Sequence, residues 1–180
     1  YVVKIELHKK DIIILEKFAE EIKMDLINIK TSYGYPSQKL ITIHSKKIVL
    51  DLINHGIPHK NKSYIAKPLE LDRSLMQYFW LGLWDADGSI SKIKHAPCSF
   101  EFELTGTKEL CDGLSQFLGY DGEYVNKRTK TEAYRFRKSL SYLKDLNKIY
   151  NRLYDNAPFW LPRKRNKFES FINLRKIYEK

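Results

Sequence analysis

The chain has 180 residues, and its 43 % hydrophobic and 30 % charged residues are typical of a globular protein rather than a disordered one. A formal net charge of +10 favours a polyanionic partner, nucleic acid before an anionic membrane surface. The longest apolar run, 78–84, is far shorter than the roughly 20 residues that span a bilayer, and no signal peptide is visible, so we expect an intracellular protein. The two cysteines form no CxxC pair, so we expect neither a disulfide framework nor a structural zinc site.

The first part of the chain predicts a strand, a helix, a hairpin and a second helix. Residues 1–8 alternate between apolar and polar, and Asp11 is a candidate N-cap for the helix that follows. Residues 26–32 and 39–44 predict the two strands of a hairpin, joined by a turn that contains Gly and Pro. Ser45 is the candidate cap of the second helix, which ends before Gly56 and a basic loop. The expected apolar stripes of the two helices are Ile14, Phe18 and Ile22, then Ile48, Val49 and Leu52.

The same order of elements returns in the second part. Residues 89–93 and 99–105 predict strands, and Thr107 is the candidate cap of a helix that ends at Gly119. A second hairpin follows over 122–139, with Ser139 as the candidate cap of the next helix. A basic loop at 161–168 then precedes a terminal helix. We therefore predict two α+β halves of one design, residues 1–70 and 71–180.

An unusually apolar segment, "DRSLMQYFWLGLWDADG", opens the second half and predicts a helix over 73–87. Its nearly continuous apolar surface, which includes one face with Leu75, Phe79 and Leu83, suits a buried seam between the halves. Gly82 and Ala86 are small residues at i, i+4, a spacing that lets another backbone approach closely. The first half has no such helix, so we expect an equivalent helix and strand to precede Tyr1. If that helix is present, the protein can form the helix pair as a monomer. If it is absent, a partner chain must supply the second helix.

Two carboxylates stand at the end of this helix, Asp85 and Asp87. The helix dipole disfavours negative charge at a C-terminus by up to ~1 kcal/mol, so the pattern indicates a bound cation. The alternative is plain turn chemistry, because Asp-Gly is common where an exposed helix ends. An EF-hand calcium loop fits poorly, since Gly88 would be its fourth residue and Ala96 would replace the bidentate Glu.

The stretch "LGLWDADGS", 81–89, resembles the signature of the LAGLIDADG homing endonucleases. It departs from the signature at the apolar positions Trp80, Leu81 and Trp84. The resemblance extends over nearly the whole chain, because the element order and a basic loop near the end of each half also match. The positions that keep the pattern are Gly82, Leu83, Asp85, Ala86, Asp87 and Gly88.

The resemblance implies a fold and an activity. The fold would be a pseudo-twofold pair of αββαββα repeats, each with a curved antiparallel sheet that forms a saddle over DNA. The activity would be site-specific cleavage of double-stranded DNA that leaves short 3′ overhangs. The alternative is a non-cleaving nucleic-acid binder of the same fold, either an intron RNA maturase or a DNA-binding regulator. An intein setting is also open, although the tail lacks the His-Asn finish of an intact intein.

The resemblance also implies site residues. Asp87, with the backbone carbonyl of Ala86 beside it, would bind Mg²⁺ or another divalent cation at the active site. One lysine from each half, Lys164 and Lys62, would order the attacking water. Thr105 is the candidate for a polar contribution from the end of the second strand.

The polar faces of the two sheets are the predicted DNA surface. In the second half Phe100, Phe102, Leu104, Tyr134 and Phe136 should face the core, which leaves charged residues on the opposite face. A solvated sheet face is the alternative, since it would be polar too. The predicted DNA-contacting residues are Lys4, Glu6, His8, Asn28, Lys30, Ser32, Thr42, His44, Ser91, Lys92, Glu101, Glu103, Lys127, Arg128, Lys130, Arg135, Arg137, Arg163 and Arg165.

Overall fold

The structure is a computed structural model that describes residues 1–58, 65–96, 98–121, 123–124 and 133–179. It contains two antiparallel sheets, one from each half of the chain, and each sheet carries helices on one side. Within these ranges no helix combines the length and the apolar character needed to cross a bilayer. Lys62, Lys127, Arg128 and Lys130 lie outside the described residues.

The first half forms a three-stranded sheet with the order β1-β3-β2. Its elements are β1 Val2–His8, α1 Ile12–Glu21, β2 Lys30–Ser32, β3 Tyr35–His44 and α2 Lys46–Asn54. Ser45 caps α2 as expected, because its hydroxyl accepts a hydrogen bond from the Ile48 N–H at 3.2 Å. The hairpin turn is shorter than predicted, and Gly34 holds a φ of +77° in it, a conformation that favours glycine.

Two elements of the first half differ from the prediction. Residues 26–29 do not form a strand, since Leu26–Asn28 is a 3₁₀ turn and only the last three residues pair with β3. In α1 the fully buried side chains are Leu15 and Ala19, whereas Ile22 is exposed. The run of four apolar residues that starts this helix leaves its phase undefined, and packing on Ile41 of β3 selects the buried face.

The second half forms a four-stranded sheet with the order β4-β5-β7-β6. Its elements are α3 Arg73–Asp87, β4 Gly88–Lys92, β5 Phe100–Gly106, α4 Lys108–Leu118, β6 Glu123–Tyr124, β7 Tyr134–Leu140, α5 Leu143–Tyr154 and α6 Pro162–Tyr178. The bounds of α3 are those predicted from the sequence. Thr107 caps α4 through the Leu110 N–H at 3.2 Å, and α4 ends at Gly119 in the left-handed conformation.

The start of each of the last two helices differs from the prediction. Ser139 is not a cap, because it lies inside β7 opposite Glu101, and α5 begins only after Tyr142. The basic segment 161–168 is not a loop, since Pro162 opens α6. Proline suits this position because its ring fixes a helical φ and the first N–H of a helix needs no intrahelical partner. Lys164 therefore lies in the first turn of a helix.

The main core lies between the second sheet and the helices α3, α4, α5 and α6. The indole of Trp84 stacks on the ring of Phe102, with centroids 5.2 Å apart and planes 4° from parallel. The strand positions expected to face the core do so, Tyr134 only in part. The largest fully buried side chains are Trp80, Trp84, Phe100, Phe102, Phe136 and Phe168. Burial of each contributes roughly 1.5–3 kcal/mol, so this core fixes the position of α3.

Candidate functional site

The candidate site lies where the C-terminus of α3 meets the N-terminus of α6. Asp85 and Asp87 are two positions apart, and at about 100° per residue their side chains point in nearly opposite directions. Asp87 is exposed at the end of α3, whereas Asp85 is only 7 % exposed and faces the protein interior. The two carboxylates of the motif therefore lie in different environments, one exposed and one buried.

The Asp85 carboxylate binds the start of α6. Its Oδ2 accepts a hydrogen bond from the backbone N–H of Leu161 at 2.7 Å. Burial raises the pKa of Asp85 to about 6, although the Leu161 N–H and the positive charge of Lys164 oppose this rise. Asp85 thus lies near the C-terminus of its own helix but acts on the N-terminus of another.

Lys164 reaches back to the end of α3. Its ammonium donates to the backbone carbonyls of Trp84 at 2.7 Å and Gly88 at 2.6 Å, and it lies 5.1 Å from the centre of the Trp84 ring. Burial lowers the pKa of Lys164 to about 8, and the negative charges of Asp85 and Asp87 oppose this effect. The structure thus brings Lys164 to the end of the helix that carries Asp87, as the sequence predicts.

Gly88 leaves room for the Trp84 ring. A Cβ on Gly88 would lie 2.1 Å from Cδ1 of the Trp84 side chain, which is far inside van der Waals contact. The glycine after the two aspartates is therefore required by the packing of Trp84, because its φ of −83° is one that any residue adopts.

Asp87 and Thr105 line one cavity of about 450 Å³ beside α3. Lys67, from the segment between the halves, lines the same cavity and was missed by sequence analysis. Lys67 is a basic residue next to Pro68, but no sequence spacing connects Lys67 to Asp87. The residues that line this cavity therefore include an aspartate, a threonine and a lysine from three separate parts of the chain.

The donors at the end of α3 fit a hard divalent cation. Asp87 offers an exposed carboxylate, and Ala86 lies in the last turn, where carbonyls lack partners within the helix. Among the described residues there is no group of three or more His, Cys, Asp or Glu side chains that could hold a metal. One carboxylate and one carbonyl suit Mg²⁺, which keeps several waters and shares its shell with substrate phosphates.

The polar face of the second sheet carries a network of ion pairs. Arg137 lies 3.1 Å from Glu101 and 2.9 Å from Glu103, and Arg135 lies 3.6 Å from Glu103. Ser91 belongs to this face, because it pairs with Glu101. Lys92 does not, since it pairs with Phe100 and so lies on the core side, exposed only because its strand ends there. The predicted DNA contact of Lys92 stays a prediction.

In the first sheet, five predicted residues share one face with His8. The strand register places Lys4 opposite Thr42 and Val2 opposite His44, so these residues lie on one face of the sheet. The Nδ1 atom of His8 accepts the Lys10 N–H at 3.1 Å, so one of its ring nitrogens is occupied. The five residues are Lys4, Glu6, Lys30, Thr42 and His44.

Ser32 and Asn28 do not extend this face. Ser32 is buried where the β2–β3 register shifts, and Asn28 lies in the 3₁₀ turn, where its amide donates to the carbonyl of Asp25. Both predictions rested on a strand over 26–32 that the chain does not form. The alternation of that segment therefore gave the wrong surface residues.

Arg163 and Arg165, at the start of α6, contact other parts of the protein. Arg163 forms an ion pair with Asp11, with its Nε 2.8 Å from Oδ2. Arg165 donates from Nε to the Tyr150 hydroxyl, and its guanidinium lies 4.1 Å from the centre of the Trp160 ring. Asp11 stands at the predicted N-cap position of α1, but its side chain makes no cap hydrogen bond there.

Gly82 and Ala86 form an open surface on α3. Both are exposed, and in the described part of the chain nothing lies within 4 Å of a Cβ built on Gly82. They line an apolar groove of about 360 Å³ together with Ile5 and Leu7 of β1 and Tyr78. Their predicted role in helix packing stays a prediction.

The chain matches no known family profile and no curated protein. Solved structures similar to it include the meganuclease I-SmaMI bound to uncleavable DNA, with 14 % sequence identity, a TM-score of 0.66, and 99 % of this chain and 80 % of that chain covered. The I-LtrWI LAGLIDADG homing endonuclease bound to target DNA has 13 % identity and a TM-score of 0.63, with 99 % and 79 % covered. I-SmaMI bound to uncleaved DNA in the presence of calcium ions has 13 % identity and a TM-score of 0.68, with 99 % and 80 % covered. The chain therefore has the fold of the LAGLIDADG homing endonucleases, which confirms the fold predicted from the sequence.

Proposed function

We propose that the protein is a site-specific endonuclease that hydrolyses double-stranded DNA with the help of a divalent cation. The observation that supports this most strongly is the contact between α3 and α6. It brings the Lys164 ammonium to the end of the helix that exposes Asp87, within a fold whose solved examples include endonucleases bound to DNA. A carboxylate and an ammonium at one exposed edge are the groups that hydrolysis of a phosphodiester needs.

Asp87 and the Ala86 carbonyl are the groups that would hold the cation, Mg²⁺ in this proposal. When bound, Mg²⁺ polarises the phosphate and makes a coordinated water more acidic. Lys164 offsets phosphate charge and orients the attacking water through its Nζ, while Thr105 contributes a hydroxyl to the same cavity as Asp87. Lys67 lines this cavity, and it is the candidate in the described chain for a further ammonium near Asp87.

The polar sheet faces are the proposed DNA-reading surface. Arg135 and Arg137 can each make two hydrogen bonds to guanine, and Glu101 and Glu103 can accept from cytosine. Their ion pairs hold these side chains in place before DNA binds, because Arg137 contacts both carboxylates. Lys4 and Lys30 extend the basic character to the first sheet.

We also propose that the open face of α3 at Gly82 and Ala86 receives a second helix of the same kind. The support is its small-residue surface beside the apolar groove. Sedimentation velocity of the 180-residue chain tests whether a second copy supplies that helix. A concentration-dependent dimer would support this source, and a monomer at all concentrations would contradict it.

The experiment for the cleavage activity starts from duplexes with a randomised core of about two helical turns. Sequences that the protein retains are selected and then incubated with it and Mg²⁺. We expect double-strand cleavage of the selected duplexes. The Asp87→Asn variant should bind them with similar affinity and cut them at least about 100-fold more slowly, because it loses the carboxylate that holds the cation.

Asp72→Asn is the matched control, because Asp72 is exposed at the other end of α3, about 22 Å away. This variant should cut at the normal rate. Selective binding without cleavage in Mg²⁺ or Mn²⁺ would overturn the nuclease proposal and favour a non-cleaving DNA binder. An absence of selective duplex binding would overturn both.

A further inference from the structure

The ends of α3 and α6 each receive a polar group from the other helix. From α3, the Asp85 carboxylate accepts the Leu161 N–H at the start of α6, at 2.7 Å. From α6, the Lys164 ammonium donates to the carbonyls of Trp84 and Gly88 at the end of α3, at 2.7 and 2.6 Å. The two contacts run in opposite directions across one junction, so each depends on the relative position of both helices.

The two contacts provide hydrogen-bond partners for both helix ends. The first N–H groups of a helix lack partners within it, and Leu161, the residue that precedes α6, has an apolar side chain that cannot act as a cap. The Asp85 carboxylate supplies the acceptor and a negative charge where the dipole of α6 favours one. The Lys164 ammonium supplies donors and a positive charge where the dipole of α3 favours one.

The Asp85 carboxylate is poorly satisfied as a purely structural group. Oδ2 has the Leu161 N–H, but Oδ1 is buried and has no hydrogen-bond partner among the described residues. Burying a carboxylate with one oxygen unpaired is unfavourable, and an apolar side chain of similar volume would pack there without that penalty. The presence of a carboxylate at this position therefore points to a role beyond filling the core.

We infer that Asp85 is a positioning residue that holds the first turn of α6 against the end of α3 and thereby fixes the Lys164 ammonium at the helix end that carries Asp87. The positioning of Lys164 by Asp85 is argued from geometry alone, whereas its consequence for catalysis rests on the proposed nuclease function. Lys164 is three residues beyond Leu161, within the same helical turn. A shift of that turn away from α3 would carry the ammonium with it.

Three substitutions together separate positioning from simple loss of charge. Asp85→Asn keeps an oxygen that can accept the Leu161 N–H, whereas Asp85→Leu has a similar size and offers no acceptor. Leu161→Pro removes the N–H from the other side of the contact, and the φ of −75° at this residue suits proline. If the hydrogen bond positions Lys164, Asp85→Leu and Leu161→Pro should behave alike, and Asp85→Asn should resemble the unchanged protein.

The first readout does not involve DNA. The protein is treated at one fixed pH with an amine-acylating reagent, and modification of Lys164 is followed by mass spectrometry. We expect Lys164 to react about ten-fold faster in Asp85→Leu than in Asp85→Asn, which shares the loss of charge. Leu161→Pro keeps the charge and should react about ten-fold faster than the unchanged protein, the factor that corresponds to loss of one buried hydrogen bond. Lys108, an exposed residue of α4, is the internal control and should react equally in all variants.

The second readout is cleavage. Asp85→Leu should lower kcat by about ten-fold or more with little change in KM for the duplex. Asp85→Asn should have a kcat close to that of the unchanged protein. An unchanged rate of Lys164 acylation in folded Asp85→Leu and Leu161→Pro, judged by circular dichroism, would overturn the inference. If the unchanged protein cuts no duplex, the proposed function fails, and the acylation rates still decide the positioning role.

Discussion

Arg163 and Asp11 join the two halves of the molecule through one ion pair. The Arg163 Nε lies 2.8 Å from the Asp11 Oδ2, across 152 positions of sequence. Asp11 is only 2 % exposed, whereas the Arg163 side chain is 53 % exposed. Lys17 of α1, 5.8 Å from the Trp160 ring centre, makes a second contact across the same boundary. The start of α6 is therefore held by α3 on one side and by the first half on the other.

We expect Arg163→Leu to destabilise the protein by about 1–3 kcal/mol, because it leaves the buried Asp11 carboxylate without its partner. The double variant Asp11→Asn, Arg163→Leu should recover part of this loss, since no unpaired charge remains. Urea unfolding measures both free energies. Arg73→Leu, at the exposed start of α3, is the control and should change the free energy of unfolding little. A double variant less stable than Arg163→Leu would contradict the pairing.

The two motif glycines should respond differently to alanine. Gly88→Ala should destabilise the protein by about 1–3 kcal/mol or more, because the new methyl group would overlap the Trp84 ring. Gly82→Ala should stabilise it by about 0.5–1 kcal/mol, because alanine favours a helix and the space there is open. Thermal unfolding of the two variants gives the comparison. A loss of stability in Gly82→Ala would show that another backbone packs on that face in solution.

Arg137 should contribute to recognition of the selected duplex. We expect Arg137→Ala to weaken binding by about 1–3 kcal/mol and to relax preference at one or two base pairs, because its guanidinium lies on the polar sheet face and is already ordered by Glu101 and Glu103. Fluorescence anisotropy at several salt concentrations measures the affinity and its salt dependence. Lys108→Ala, on α4, is the control. Equal losses in both variants would contradict a specific role for Arg137.

The Cys111 thiol should react only when the protein unfolds. Burial raises the pKa of Cys111 to about 11, so at pH 8 roughly one molecule in a thousand carries the reactive thiolate in the native state. We expect alkylation at Cys111 to be slow without denaturant and to rise with urea along the unfolding curve. Mass spectrometry assigns the site. Rapid alkylation in buffer alone would show that the core opens locally at α4.

Local signals predicted much of the fold. The bounds of α3 and the caps Ser45 and Thr107 follow from interactions within three or four residues, which a sequence displays directly. The strand expected over 26–29 failed because alternation does not say whether a partner strand is available. Ser139 failed because a polar residue suits the open face of a strand as well as a helix start, and the register with β5 decides between them.

The candidate site was predicted only in part. The motif led to Asp87 and the family resemblance to Lys164, and in the structure both lie at the end of α3. The contact of Asp85 with Leu161 spans 76 positions, and the pair of Arg163 with Asp11 spans 152, so no local pattern records either one. Lys67 is at the cavity because the segment between the halves passes beside α3. Such contacts follow from the tertiary arrangement alone.

The stacking of Trp84 has a practical consequence for experiments. Its indole lies flat on Phe102, touches the Gly88 position and sits 5.1 Å below the Lys164 ammonium. Indole emission depends on the charges around the ring, so displacement of that ammonium changes the fluorescence of this residue. The chain has only three tryptophans, and with Trp80 and Trp160 replaced by phenylalanine the remaining signal would come from the site itself. The protein thus carries its own optical probe between the two helix ends.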